Sequence, residues 1–338
     1  MKTLFIPLIA GLLLSCTQAP AHAQDTKEKE KQEKQEAKEK ERQEKNEARE
    51  ADREVKNRER EESRRQRYKD KYPEEFKEHI SKQYTIQKAT GGLLAIYNLD
   101  GFIKVEGYAG DKVMIEVDKT IRAKNKEILE QGKKEVKIGF EQLGDSVVAY
   151  LLEPWDTRPH TDRFNWNDER REIEYNCSLE FTIKVPFNMN LHVSTVNNGD
   201  IDVKNVAGNL RVNNVNGGIA ITNAKGTTTA HTINGDLTVN YLSNPPESSS
   251  FYTLNGKLTA IFQPNLSADL QFKTMNGAFY TDFENSQVLP PTVTKNEEKR
   301  GSGTVYKLNK DTQLRIGSGG KQFKFETLNG NIYIKKQS

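Results

Sequence analysis

Five glycines, Gly199, Gly208, Gly217, Gly226 and Gly235, recur at a constant spacing of nine residues. After each one, positions +2 and +4 are mostly apolar: Ile201 and Val203, Leu210 and Val212, Ile219 and Ile221, Leu237 and Val239. The copy after Gly226 is weaker, with Thr228 and Ala230. The position two before the glycine is apolar in Val206, Val215, Ala224 and Ile233, and Asn197 interrupts that pattern. A period of two inside each module is the mark of a half-buried strand. The Asn-Gly pairs predict tight turns, since both residues tolerate positive φ. Nine residues hold one strand of about 5–6 residues and a short corner. A single layer of this kind cannot bury its apolar side, so neighbouring layers must stack.

The same chemistry returns at wider spacing in Thr253-Leu254-Asn255-Gly256, Thr274-Met275-Asn276-Gly277 and Thr327-Leu328-Asn329-Gly330. A fainter copy lies upstream at Asn98-Leu99-Asp100-Gly101. The gaps from Gly235 to Gly256 and from Gly256 to Gly277 are both 21 residues, the length of a whole coil lacking an internal glycine corner. The pattern therefore predicts an all-β chain, a β-solenoid or β-helix-like repeat with about two strands per coil. An antiparallel meander with Asn-Gly hairpins fits the nine-residue spacing nearly as well.

Charge divides the 338 residues unevenly. Residues 1–23 read as an export signal, with Lys2 ahead of the apolar run Leu4 to Leu14, which is too short to span a bilayer as a mature helix. Two processing routes fit. Leu13-Leu14-Ser15-Cys16 has the form of a lipobox, in which Cys16 is acylated and anchors the chain to a membrane, whereas Ala21-His22-Ala23 has the form of an ordinary cleavage site. Residues 24–72 are almost wholly charged or polar, with Glu-to-basic pairs at i,i+4 such as Glu30 with Lys34 and Glu54 with Arg58. This is a stalk, either a solvated helix or a disordered spacer, and it lacks the apolar seam of a coiled coil. Acids interleave its bases and the net charge is only +3, which argues against a nucleic-acid partner.

Residues 73–83 predict a capping helix, with Pro73 at its start and Phe76 and Ile80 on one face. Residues 84–338 form the repeat domain. Alternation predicts strands at 93–97, 102–106, 112–118, 135–142, 146–152 and 177–185, a helix over 121–131, and a hairpin at Leu143-Gly144-Asp145. Two long polar loops are expected at 154–174 and 286–311. The first carries Trp155 and Trp166 and is the candidate contact loop.

Catalytic patterns are sparse. There is no Gly-x-Ser-x-Gly elbow, Cys177 has no neighbouring partner signature, and the histidines at 22, 79, 160, 192 and 231 lack metal-ligand spacing. Calcium nonapeptides need Gly-Gly-x-Gly-x-Asp, and the modules here carry one glycine as a rule. No cofactor or metal is expected. The residues that matter most are then the turn glycines Gly199, Gly208, Gly217, Gly226, Gly235, Gly256, Gly277 and Gly330. Stacking would also align the neighbouring Asn and Thr side chains into hydrogen-bonded ladders, or into a flat polar face able to bind glycan or protein.

Three stretches together, Gly107-Tyr108-Ala109-Gly110-Asp111-Lys112-Val113, Phe181-Thr182-Ile183-Lys184-Val185-Pro186 running on to Thr195-Val196-Asn197-Asn198-Gly199-Asp200-Ile201, and Ile316-Gly317-Ser318-Gly319-Gly320 running on to Thr327-Leu328-Asn329-Gly330, resemble the bacterial putative-adhesin family of exported β-strand-repeat proteins. The likeness covers roughly residues 84–338. It implies a β-helix-like fold in the bacterial envelope and no particular activity. The function expected is that of a non-catalytic cell-envelope protein, in the periplasm or at the outer membrane or cell surface, binding an envelope protein or a glycan. A self-assembling scaffold and a carbohydrate-active β-helix enzyme are the alternatives.

Overall fold

Successive nine-residue modules fold as strands that take opposite sides of the body in turn. The computed structural model describes residues 71–152, 173–300 and 303–337, and the side chains of all of these except 291–311. The described chain runs β1 (Glu74–Thr85), β2 (Leu93–Tyr97), β3 (Ile103–Tyr108), β4 (Lys112–Ala123), α1 (Lys126–Glu135), β5 (Lys137–Leu143), β6 (Ser146–Leu152), β7 (Tyr175–Pro186) and β8 (Asn190–Ser194). The repeat strands follow: β9 (Ile201–Lys204), β10 (Leu210–Asn213), β11 (Ile219–Ala224), β12 (Thr228–Asn234), β13 (Leu237–Tyr241), β14 (Ser249–Asn255) and β15 (Leu258–Phe262). The chain closes with β16 (Ala268–Asn276), β17 (Phe279–Thr281), β18 (Ser286–Arg300), β19 (Gly303–Ile316), β20 (Lys321–Asn329) and β21 (Ile332–Lys336).

These strands make two large open sheets. One has ten strands in the order β1-β4-β7-β3-β9-β11-β13-β15-β21-β17, the other eleven in the order β18-β19-β16-β20-β14-β12-β10-β8-β2-β6-β5. From β8 to β15 the chain alternates between sheets, and each strand pairs in parallel with the next but one. The register confirms the spacing read from the glycines: Ile201 lies beside Ile219, Ile219 beside Leu237 and Leu237 beside Leu258. Parallel pairing excludes the antiparallel meander, whose two-residue turns would join antiparallel neighbours.

Alternation decides what faces inward. Ile103, Ile201, Ile219, Leu237, Leu258 and Ile332 form one fully buried line, and Val105, Val203, Ile221, Val239, Ala260 and Ile334 another. The core changes character along the stack. Its C-terminal rungs hold face-to-face aromatic pairs, Tyr241 on Phe262 with ring centroids 5.2 Å apart, Phe251 on Phe325 at 5.1 Å, and Phe272 on Phe325 at 5.5 Å. Such pairs add about 0.5–1.5 kcal/mol each beyond area burial.

Neither end of the stack is a simple chain terminus. The last two strands, β20 and β21, are inserted between earlier ones: β20 pairs in parallel with both β14 and β16, and β21 with both β15 and β17. At the other end, β2 lies between β6 and β8, and β3 between β7 and β9.

Three local expectations are corrected. Residues 73–83 do not form a capping helix; Glu74–Thr85 is an edge strand, antiparallel to β4 over its whole length. A spacing of four satisfies a period of two as well as 3.6, so Phe76, Ile80 and Tyr84 share one half-buried side of a strand, and β4 offers a free ladder of backbone groups. The helix expected at 121–131 begins later, at Lys126, because Asn125 caps it by accepting from the Ile128 N–H at 2.9 Å, while Ile121 and Ala123 stay in β4 as buried strand residues. The polar stretch 286–311 is not a loop but a two-stranded antiparallel ribbon of β18 and β19, joined to the body where β19 pairs with β16.

Candidate functional site

The repeat has two kinds of corner. On one side of the stack lie the corners containing Gly199, Gly217, Gly235, Gly256, Gly330 and Gly277; Gly208 and Gly226 stand at the other side. The positive φ expected at the Asn-Gly turns is absent from all eight glycines, since among the described glycines positive values occur only at Gly91, Gly101, Gly144, Gly317, Gly319 and Gly320. The requirement is contact between rungs. A Cβ on Gly217 would stand 2.2 Å from the Gly199 carbonyl oxygen, on Gly235 2.2 Å from that of Gly217, on Gly256 2.1 Å from that of Gly235, and on Gly330 1.9 Å from that of Gly256. The left-handed conformation falls instead to Asn198, Asn205 and Asn223, at φ of 53°, 57° and 58°. Asn198 is an extra residue in its corner, which is why Asn197 interrupts the apolar pattern: the equivalent apolar residue is Val196.

Two ladders run through the first kind of corner. The inner one satisfies the glycine carbonyls. Thr232 donates to Gly217 O and Thr253 to Gly235 O, both at 2.8 Å, and Asn214 donates to Gly199 O at 3.0 Å. The outer ladder is made of asparagine amides. Asn216 Nδ2 donates to Asn197 Oδ1, Asn234 to Asn216, Asn255 to Asn234, Asn329 to Asn255 and Asn276 to Asn329, at 2.7–2.9 Å throughout. Between the two ladders each corner turns one aliphatic side chain outward: Val196, Val215, Ile233, Leu254, Leu328 and Met275, with Ile233 39% and Met275 75% exposed. Amide and aliphatic lines lie side by side and neither includes a charged residue, so together they form an uncharged ridge along the stack, flanked by the exposed Asp200, Asp236 and Lys257 that follow their corner glycines. The sequence showed the ladder positions but not the ridge. Val206 and Ala224, at the opposite corners, are 1% exposed, so residues that look equivalent in a nine-residue register point in opposite directions.

Other features flank the ridge. Asp100 stands at its N-terminal end, bridged to Asn197; burial raises its carboxyl pKa, partly offset by hydrogen bonds from Asn198 and Ser178. In the last rung Tyr280, half exposed, stacks on Tyr333 with centroids 4.9 Å apart. On the opposite corner a polar recess of about 490 Å³ is lined by Leu242, Asn244, Gln263, Asn265, Lys321 and Phe323. On β1, His79 places both ring nitrogens against carboxylates, Asp118 at 2.7 Å and Glu116 at 2.8 Å, and these hydrogen bonds raise its pKa. The Cys177 thiol is pushed up to about 12 by burial. Among the described residues no three His, Cys, Asp or Glu side chains converge as a metal site would require. Cys16, Trp155 and Trp166 lie outside the described residues, as do the export signal and nearly all of the stalk.

No family model matches the chain, and no curated protein matches it. Among solved structures it is similar to a putative cell adhesion protein from Clostridium sporogenes, at 12% identity over 78% of this chain and 100% of that one, with a TM-score of 0.37. A putative adhesin from Bacteroides fragilis is similar at 9% identity over 77% of this chain and 97% of that one, TM-score 0.27, and one from Parabacteroides merdae at 10% identity over the same shares, TM-score 0.26.

Proposed function

We propose that this chain is a non-catalytic, exported bacterial cell-envelope protein of the adhesin type, a β-solenoid body that binds an envelope protein or glycan. The observation that carries the reading is the ridge. Six rungs each present one outward aliphatic side chain beside one amide already held in place by its neighbours. Surface aliphatics scattered singly need no explanation, but an ordered line of them beside a hydrogen-bonded amide row is a surface prepared for contact. The N-terminal signal supports export, and Cys16 supports anchoring in the outer membrane through an acylated residue. The test is capture of envelope components by the full mature chain, with Ile233→Glu and Met275→Glu as ridge variants. Binding that survives both variants removes the ridge from the reading. Mass spectrometry of the mature N-terminus distinguishes acylated Cys16 from cleavage after Ala23.

A further inference from the structure

Taking that binding surface as given, we infer that the ridge takes a neutral, linear polysaccharide laid along the stacking axis, one sugar ring to each rung. Three observations select this class. The first is charge. No ionisable residue stands on the amide line from Asn197 to Asn276 or on the aliphatic line from Val196 to Met275, and the nearest flanking charges include the opposed pair Lys257 and Asp236, 3.8 Å apart. An anionic glycan, a nucleic acid or an acidic lipid surface would find no row of cations to meet it, only the single exposed Lys257, which already faces Asp236.

The second is hydrogen-bonding capacity. Each inner member of the asparagine ladder uses one N–H toward one neighbour and one carbonyl lone pair toward the other, as Asn234 does between Asn216 and Asn255. One N–H and one lone pair remain on each amide. A sugar hydroxyl is donor and acceptor at once and matches that pair, while the C–H face of a pyranose ring matches the aliphatic side chain beside it. The amides are already fixed by the ladder, so binding does not have to order them.

The third is period. Rungs repeat every 4.7–4.9 Å or so, the spacing of hydrogen-bonded strands. Linked pyranose rings in an extended chain advance by a similar distance. An extended peptide instead repeats its side-chain direction every two residues, about 6.6 Å, and falls out of step within a few rungs.

The experiment is calorimetric titration of the full mature chain with linear β-1,4-linked oligomers of glucose and of N-acetylglucosamine, of increasing length, with polygalacturonate as the charged comparator. Affinity is expected to rise roughly threefold for each added ring and to level off once the oligomer spans the ladder. Ile233→Glu and Met275→Glu are each expected to lower affinity at least tenfold at an unchanged melting temperature. Affinity independent of oligomer length, a preference for polygalacturonate, or a loss confined to Tyr280→Ala would overturn the inference. If no sugar binds while the ridge variants still abolish capture of an envelope protein, this inference fails and the binding reading stands. If sugars bind equally to wild type and ridge variants, the ridge fails in both.

Discussion

Replacing Gly256 with alanine should cost far more than its backbone geometry suggests. Gly256 has no positive φ, so a side chain meets no intrinsic conformational penalty there. The new Cβ would nevertheless sit 2.1 Å from the Gly235 carbonyl oxygen, where ordinary contact lies near 3.5 Å. The two rungs must separate by more than an ångström at that corner. Four hydrogen bonds cluster about the point of separation: Gly235 N–H to Asn255 O and Gly256 N–H to Asn329 O, both 3.1 Å, Thr253 Oγ1 to Gly235 O at 2.8 Å, and Asn255 Nδ2 to Asn234 Oδ1 at 2.9 Å. Losing three of them at about 1 kcal/mol each gives roughly 3 kcal/mol. That corresponds to a fall in melting temperature of about 6–12 °C for a body of this size. Gly144→Ala is the matched control. Gly144 has a φ of +60° but nothing within 4 Å of the place a Cβ would take, so only the left-handed penalty applies, about 1–2 kcal/mol. Thermal melts by circular dichroism compare the two. Should Gly144→Ala prove the more damaging, close stacking of rungs would not be the reason for these glycines.

The remaining expectations concern other parts of the body. His79 has a raised pKa, so its ion pairs with Asp118 and Glu116 stabilise β1 fully below the unfolded value of 6.5, and the contribution is lost as pH rises through the higher folded value; hydrogen exchange of β1 amides should therefore quicken across that window, and His79→Gln should flatten the response. Cys177, half-buried and with its thiol pushed up to about 12, should react slowly with alkylating agents at pH 8 in the folded protein and faster on denaturation, so equally rapid labelling of the native chain would contradict the raised pKa. Asn205→Gly should be less harmful than Asn205→Ala by about 1 kcal/mol in chemical denaturation, because glycine keeps the φ of 57° and both lose the hydrogen bond from Asn223. Deleting residues 321–338 removes β20 and β21 from between existing strands, so limited proteolysis should then reach β14 through β17, whereas deleting Ser338 alone should leave the digestion pattern unchanged.

The central strands were legible because burial alternates along most of their length and each glycine marks a corner. What the spacing of nine concealed is that consecutive corners differ. The full repeat has two strands, one in each sheet, so Ile233 and Ala224 occupy the same place in a nine-residue register yet stand 39% and 1% exposed. A register of eighteen would have separated them. The error at residues 73–83 has a different origin. Phe76, Ile80 and Tyr84 satisfy helix and strand periods alike, and only the free edge of β4, where they meet Ile121, Val117 and Val113, decides between them. Long-range pairing of this kind leaves no local trace.

The ridge was half visible for the same reason. Its asparagines are readable as a repeated residue type, and stacking alone implies that they meet. Their direction is not readable, because a corner exchanges inward for outward faces through backbone angles that no residue pattern announces. The six glycines behind the ridge supply what the pattern lacks. Carbonyl contacts near 2 Å from each absent Cβ place consecutive corners directly over one another, and only that superposition brings Asn216, Asn234, Asn255 and Asn329 within 2.9 Å of their neighbours. A bulkier residue at the glycine would spread the amides apart before it unfolded the core. The stacking contact and the outward surface are thus one device, and damage to the first must appear in the second.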